Sequence, residues 1–215
     1  MNEEIREKLW KIASQYSFPS KYFIPVKRNS GIICKDFFPE NIKQFVLELG
    51  SGWGEVAIEL ALKNPDTGYI LMEKNLGRVK STLRMIEKYK LSNIRFIPLN
   101  FNWFLVELLE PRQFRSVILN FPDPWPKKKH FKHRTLNEEF VDKLRYLLQE
   151  KGSFYFATDH GGYARASIRL FRKIKDFTFE NEYTFQRDNI PKSRFEEEKR
   201  GEGKKIYYLE RILCS

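Results

Sequence analysis

From about residue 45 to its end, this chain alternates short apolar runs with longer stretches of helical periodicity. That alternation narrows the fold more than any other feature. A strand that reaches its neighbour through a helix runs parallel to it, and such strands are buried on both faces. A doubly wound, mostly parallel α/β sheet is therefore predicted. Its seven strands are expected near 45–49, 69–72, 94–98, 116–120, 153–158, 178–184 and 205–213. Helices fill most gaps, most clearly 54–63, 75–90 and 136–150, the last capped by Thr135 or Asn137. No helical pattern separates the final two strands, so they are expected to form a C-terminal antiparallel hairpin that closes the sheet. Their connection, 186–204, is highly charged, and a loop of that length in a compact domain is usually functional or disordered.

Ahead of the sheet, residues 3–16 carry an amphipathic helix pattern. Residues 17–40 hold Pro19, Pro25 and Pro39 among Lys21, Lys27 and Arg28, which predicts an irregular, basic, partly mobile arm. The expected division is 1–40 for the N-terminal helix and arm and 41–215 for the main domain. A length of 215 residues suffices for that domain and its own core. Lys and Arg number 39 against 28 Asp and Glu, and the net charge of +11 argues for nucleic acid as partner before an anionic membrane surface. No apolar run approaches the roughly 18 residues that span a bilayer. The acidic start Met1-Asn2-Glu3-Glu4 is unlike a signal or transit peptide, so a cytoplasmic protein is expected. Cys34 and Cys214, far apart and without a partner motif, support neither a disulfide framework nor a cysteine-based metal site.

The segment Leu47-Glu48-Leu49-Gly50-Ser51-Gly52-Trp53-Gly54-Glu55 ends the first predicted strand and opens a helix. In that context Gly50, Gly52 and Gly54 let the backbone turn sharply and approach a nucleotide-type cofactor. Glu73, about 20 residues on and at the end of the next strand, is placed to accept hydrogen bonds from two ribose hydroxyls. NAD enzymes share this arrangement. Glu48, however, sets a carboxylate where a pyrophosphate would be repelled and a cationic amino-acid moiety attracted, which favours S-adenosylmethionine. Asn100, just after the third strand, can meet an adenine edge or serve as an ordinary turn asparagine. Trp53 either walls the cofactor pocket or packs beneath the helix.

Residues 120–134 set one carboxylate, Asp123, among three prolines and run into five Lys and Arg residues with two histidines and an aromatic between them. Proline fixes φ and withholds a donor, so Asp123 rides a stiffened loop. The basic stretch has the composition of a surface on which a polyanion lies, although a charge run is often only a solvated face. An acid aimed at a substrate beside a cationic bed points to chemistry on nucleic acid. Trp125 or Phe195 could stack on a base, or each could belong to the core. His130 and His133 have no nearby cysteine or further histidine to complete a metal set, so they are read as RNA-facing and no metal is expected.

With the glycine loop, Glu73 and Pro122-Asp123-Pro124-Trp125-Pro126-Lys127-Lys128-Lys129-His130 together, the chain closely resembles the bacterial tRNA (guanine-N7-)-methyltransferase family over about residues 20–213. Asp123-Pro124-Trp125-Pro126-Lys127 is the most specific element, supported by Ala157-Thr158-Asp159-His160 and by Ser193-Arg194-Phe195-Glu196. The resemblance implies a Rossmann-like methyltransferase fold, S-adenosylmethionine as cofactor, and N7 of a guanine in the variable loop of tRNA as acceptor. It implies that Glu48, Glu73, Asn100 and Asp123 line the cofactor site with the glycines, Asp123 serving also as the catalytic acidic residue. By the same resemblance Lys127, Asp159, Ser193, Arg194, Phe195 and Glu196 meet the substrate, and Lys129, His130, Phe131, Lys132, His133 and Arg134 meet RNA. The implied partner is tRNA, with no membrane, metal or obligate protein partner. Asn100 stands where many bacterial members have Asp, keeping a donor and an acceptor but no charge. Ser193-Arg194 stands where Thr-Lys is frequent, keeping the hydroxyl and the positive charge while changing contact geometry.

Guanine N7 carries an in-plane lone pair, so it attacks a sulfonium methyl without first losing a proton, and alignment is the enzyme's main task. Positive charge then grows on the purine. A carboxylate such as Asp123 or Asp159, facing N1 and the exocyclic amino hydrogens, would select guanine over adenine and stabilise that charge. The target base, stacked or paired in folded tRNA, must be exposed first. Three rival readings are another RNA or DNA base methyltransferase, a non-catalytic RNA-binding module and an NAD oxidoreductase. The first lacks the adjacent prolines of the amino-methylating loop, the second leaves Glu73 idle, and the third has no evident proton donor.

Overall fold

Seven strands, β1 (Gln44–Leu49), β2 (Thr67–Met72), β3 (Ile94–Ile97), β4 (Phe114–Asn120), β5 (Leu148–Thr158), β6 (Phe177–Thr178) and β7 (Tyr207–Leu213), form one sheet in the order β3-β2-β1-β4-β5-β7-β6. The computed structural model describes residues 2–15, 20–28 and 31–214. β1 to β5 pair in parallel, and β7 runs antiparallel to both β5 and β6. The helices are α1 (Glu3–Ser14), α2 (Glu55–Lys63), α3 (Leu76–Lys88), α4 (Leu105–Leu108), α5 (Glu138–Leu147), α6 (Gly161–Arg172) and α7 (Arg194–Gly201). The chain winds outward from β1 to β3, then crosses back to β4, so the strand order reverses between β1 and β4. In an open parallel sheet that reversal leaves a crevice beyond the strand ends.

Successive side chains along β1 face opposite sides of the sheet. Leu47 and Leu49 join Val117, Leu119, Phe154 and Phe156 beneath α5 and α6, whereas Val46 joins Tyr69, Leu71 and Ile118 beneath α2 and α3. Helix starts follow their caps: Asn75 Oδ1 accepts the Arg78 N–H at 3.2 Å and Asn137 Oδ1 the Phe140 N–H at 2.9 Å, so α5 takes Asn137 and not Thr135. Among the described residues no helix is long and apolar enough to cross a membrane.

The described part of the 17–40 segment is irregular but packed. Ile24, Val26, Ile32 and Phe38 are buried in the same core as Leu47, and Trp10 of α1 stacks on Phe104 at 3.8 Å. The Ile24 N–H donates to Phe96 O at 2.9 Å and the Phe96 N–H to Tyr22 O at 2.7 Å, which gives the exposed edge of β3 a partner. Pro19, within 16–19, and residues 29–30 lie outside the described residues.

The C-terminal strands pair antiparallel as expected, but the strand expected at 178–184 is only Phe177–Thr178. The Arg211 side chain explains the early exit. Its guanidinium is fully buried between the rings of Phe171 (5.1 Å) and Phe179 (4.3 Å), and donates to Asn181 O at 3.4 Å and Glu182 O at 2.8 Å. The carbonyls that would bond β7 turn instead to this charge, and the chain rejoins β7 only at the bridge Thr184↔Tyr208. The connection 186–204 is likewise no bare loop: Ser193 Oγ accepts the Glu196 N–H at 3.2 Å and opens α7.

Candidate active site at the parallel strand ends

After Leu49 the chain turns through Gly50, Gly52 and Gly54, at φ of 72°, 59° and 76°, a region that disfavours side chains. A Cβ at Gly52 would meet nothing within 4 Å, and one at Gly50 only the Phe101 ring at 3.6 Å, so both leave open space above the strand ends. Gly54 differs from its expected role toward cofactor. A Cβ there would stand 2.2 Å from Thr82 Cγ2, so this glycine lets α3 approach the loop, and Thr82 Oγ1 donates to Trp53 O at 2.9 Å. Trp53 itself is exposed, with the Arg78 guanidinium 5.8 Å from its ring.

Two nearly buried carboxylates flank this loop. Glu73, 5% exposed, accepts the Gly52 N–H at 3.0 Å with Oε2 and the Asn75 N–H at 2.8 Å with Oε1. A carboxylate offers about four acceptor sites, so each oxygen can take a further donor. Glu48, 4% exposed, has an Oε2 without any hydrogen-bond partner. Its pKa is pushed up to about 8, first by burial and then by the neighbouring charge of Glu55, with Arg187 acting in the opposite direction. A buried, unpaired acid beside another acid is a seat for a cation.

The crevice is an open cleft of about 270 Å³ between Gly50, Met72, Glu73, Asn100, Leu119 and Asp123. Asn100 lines it while its Oδ1 accepts the Asn102 N–H at 3.1 Å, so it serves the turn as well. Asp123 is exposed at the cleft wall, on a loop whose flanking aromatics Phe121 (φ 51°) and Trp125 (φ 42°) hold left-handed backbone. Such conformations cost of order 1–3 kcal/mol each and persist where the surroundings over-determine them. Here they do: the Phe121 N–H donates to Ala157 O at 2.8 Å and Arg134 Nε to Pro124 O at 2.8 Å.

Arg134 is thereby the exception among the basic residues expected to meet RNA. It is buried, with its guanidinium 3.8 Å from the Phe131 ring centre and 4.8 Å from that of Tyr163. Lys127, Lys129, Phe131, Lys132 and His133 are exposed and His130 half-buried, most of them on the short 3-10 turn Lys128–His133. Trp125 lies against His130 and His133, at 5.7 and 5.2 Å. Among the described residues no group of three or more His, Cys, Asp or Glu side chains is placed to hold a metal.

Asp159 is half-buried one residue past β5, whose register sets Ala157 beside Asn120 of β4. His160 Nδ1 accepts the Tyr163 N–H at 3.0 Å and caps α6. Ser193 is the N-cap of α7, the Arg194 N–H donates to Glu55 Oε1 at 2.8 Å, and the exposed Phe195 packs on Phe121 at 5.0 Å. Glu196 is fully buried, its Oε1 accepting from the Tyr208 hydroxyl and, at 3.1 Å, from Arg200 Nε. Its other oxygen, Oε2, has no hydrogen-bond partner and lies 4.0 Å from Arg187 Nη2. The fold thus gathers Gly50, Glu73, Asn100 and Asp123 around one cleft, with Gly52 held to Glu73 and the buried Glu48 one residue before the lining Leu49, Asp159 and Phe195 beside the cleft, and the exposed basic residues on the adjoining surface.

Sequence reasoning missed Arg187. Its side chain is 7% exposed, donates through Nη1 to Asn120 Oδ1 at 3.2 Å, lies 4.0 Å from Glu196 and faces Glu48, while Nε and Nη2 have no hydrogen-bond partner. Nothing in its sequence context distinguishes it among 39 basic residues; only the fold brings it to the strand ends.

A family described as "Putative methyltransferase" matches residues 43–209. A tRNA (guanine-N(7)-)-methyltransferase of Leptospira interrogans is 50% identical over 214 residues, covering 99% of this chain and 99% of that protein. The chain belongs to the tRNA (guanine-N(7)-)-methyltransferase family. A further tRNA (guanine-N(7)-)-methyltransferase, from Chlamydia felis, is 32% identical over 76% of this chain and 73% of its own length. The solved 16S rRNA methyltransferase KamB, 11% identical, superposes with a TM-score of 0.60 over 83% of this chain and 95% of its own. A SAM-dependent O-methyltransferase from Thermotoga maritima, 14% identical, gives 0.55 over 81% of this chain and 60% of its own. Both share the Rossmann-like fold.

S-adenosylmethionine is the methyl donor of this family member. The cleft suits it: Glu73 keeps acceptor capacity at the end of β2, Gly50 and Gly52 leave the backbone bare, and the buried Glu48, whose Oε2 has no hydrogen-bond partner, lies next to the cleft-lining Leu49.

Proposed function

We propose that this protein transfers a methyl group from S-adenosylmethionine to N7 of a guanine in the variable loop of tRNA. The observation that carries this reading is the single cleft shared by Glu73 and Asp123, beside an exposed surface of lysines, histidines and Trp125. When bound, S-adenosylmethionine supplies an electrophilic methyl carbon on a sulfonium sulfur. Glu48 pairs with the ammonium, Glu73 accepts from the ribose hydroxyls and Asn100 meets the adenine edge. Asp123 accepts from the N1 and exocyclic amino hydrogens of guanine, which aims N7 along the line of attack and offsets the charge that develops on the ring. Asp159, one strand over, and Phe195 border the base. Lys127, Lys129, Lys132, His130 and His133 face the phosphates, and Phe131 adds an exposed ring to that surface.

Gly54 and Arg134 act through other residues: Gly54 by admitting α3 and Arg134 by holding Pro124. The test is incubation with methyl-labelled S-adenosylmethionine and an unmodified tRNA transcript, then nuclease digestion and mass spectrometry. The expected product is 7-methylguanosine, with oligonucleotide mapping to the variable loop. A different methylated nucleoside would overturn the role given to Asp123, and tRNA binding without methylation would point to a binding module.

A further inference from the structure

Tyr183, Phe185 and Tyr207 form a closed aromatic triad, with ring centres 5.3, 5.4 and 5.7 Å apart and planes tilted by 75°, 59° and 52°. Large rings are normally withdrawn from water, yet Tyr183 is 40% and Phe185 43% exposed. Both are held in place. The bridge Thr184↔Tyr208 carries two backbone hydrogen bonds of 2.9 and 3.0 Å, so Tyr183 and Phe185 project from the face that also carries Tyr207. Phe185 O further accepts from Arg200 Nη2 at 3.1 Å.

The triad stands on the catalytic rim. Tyr207 opens β7 opposite Thr158, the residue before Asp159, and its hydroxyl lies against Gly161, 3.1 Å from where a Cβ would stand. The ends of β4, β5 and β7 follow one another at a spacing of about 4.8 Å, so Asp123, Asp159 and the triad lie in sequence along one edge. Its surroundings are cationic: Arg165, Lys204 and Lys205 are exposed, and Lys205 Nζ lies 5.7 Å from the Phe185 ring centre. Rings bordered by Lys and Arg suit the faces of bases and their phosphates.

We propose that Tyr183, Phe185 and Tyr207 are a stacking platform for one or two unpaired nucleotides that flank the target guanosine in tRNA. The proposal rests on the methyl-transfer reading above. Drawing a base out for methylation breaks its stacking with its neighbours, and a platform one strand beyond Asp159 replaces that stacking for the flanking base. Because every base has a π face, the platform tolerates sequence differences among tRNAs.

The test uses the full chain, the Tyr183→Ala/Phe185→Ala double variant and the conservative Phe185→Trp. Each is mixed with tRNA transcript carrying 2-aminopurine next to the target guanosine. Wild type and Phe185→Trp should quench the fluorophore, and the double variant should not. The double variant should also bind tRNA more weakly by on the order of 10-fold, with unchanged salt slope because no phosphate contact is lost, and with unchanged S-adenosylhomocysteine affinity. An abasic flanking nucleotide should weaken wild type and leave the double variant unaffected, a readout that needs only folded wild type for its first half. Unchanged quenching and affinity in the double variant, or insensitivity of wild type to the abasic site, would overturn the platform. So would conversion from dimer to monomer in the double variant, which would make the triad a contact between copies. A wild type that methylates no tRNA would overturn the underlying reading instead.

Discussion

The Glu73 carboxylate at the end of β2 accepts the backbone N–H of Gly52 at 3.0 Å, so the acid proposed to meet ribose also fixes the glycine loop. Its other oxygen holds Asn75, the cap of α3. Glu73→Ala should therefore lower S-adenosylhomocysteine affinity at least 10-fold and destabilise the protein by about 1–3 kcal/mol, since two backbone donors lose their acceptor. Glu73→Gln, which keeps one carbonyl oxygen, should fall between. Calorimetric titration and urea unfolding read the two effects separately.

Glu48 gives a pH dependence. Its folded-state pKa of about 8 lies above the ordinary 4.5, so the native protein holds this proton longer than the unfolded chain. The stability it contributes is fully present below 4.5 and is lost as pH rises through about 8. The cofactor-free wild type should lose stability against Glu48→Gln between about pH 4.5 and 8 in urea unfolding. Cofactor binding runs the other way, because an ammonium selects the ionised acid. Wild-type affinity for S-adenosylhomocysteine should rise over the same interval relative to Glu48→Gln, and the ligand's own amino group cancels in that comparison.

Asp123→Ala should reduce kcat on tRNA by at least about 100-fold while changing cofactor affinity far less, as expected when a group acts mainly on developing charge. Arg134→Ala should reproduce part of this loss without touching the cleft, because it frees Pro124 and the strained backbone around Asp123. Single-turnover rates with tRNA, beside cofactor titrations, distinguish the two variants. An Asp123→Ala enzyme with wild-type turnover would remove Asp123 from the chemistry.

Arg211 is a test of stability alone. Burial lowers its pKa to about 10, so it stays charged at neutral pH inside the sheet. Arg211→Ala strips the Asn181 and Glu182 carbonyls of their donor and leaves a void between Phe171 and Phe179. The expected loss is about 2–4 kcal/mol, a fall in Tm of roughly 5–15 °C for a chain of this size. Thermal unfolding measures it directly.

Much of the architecture could be read residue by residue. The buried runs that became β1 to β5 are apolar on both faces, and Gly50 with Gly52 marked the turn above the cleft. Three departures are equally specific. β5 starts at Leu148, inside the helix expected over 136–150, because α5 ends at Leu147 and the chain turns directly into the strand. The strand expected at 178–184 is cut to two residues because Arg211, 27 or more positions away along the chain, claims its carbonyls. α7 lies inside a highly charged connection, where its capping pattern, Ser193 with Glu196, is the one local sign of a helix.

The candidate site divides in the same way. Backbone demands are local, so glycines after a strand, an acid at the next strand end and a proline-bound Asp123 announce themselves in one dimension. Which side chain turns inward depends on what surrounds it in three. Arg134 reads as one more cation in a basic run, yet Phe131, Tyr163 and the Pro124 carbonyl draw it into the protein. Arg187 reads as one charge in a polar connection, yet β4 and α7 bring Asn120 and Glu196 to it. The sequence by itself determined the doubly wound sheet, the cofactor loop and the loop acid, because these rest on periodicity and local backbone chemistry. The tertiary structure alone decided the burial of Glu48, Arg134, Arg187 and Glu196, because burial and charge pairing are set by segments distant in the chain that only the folded sheet brings together.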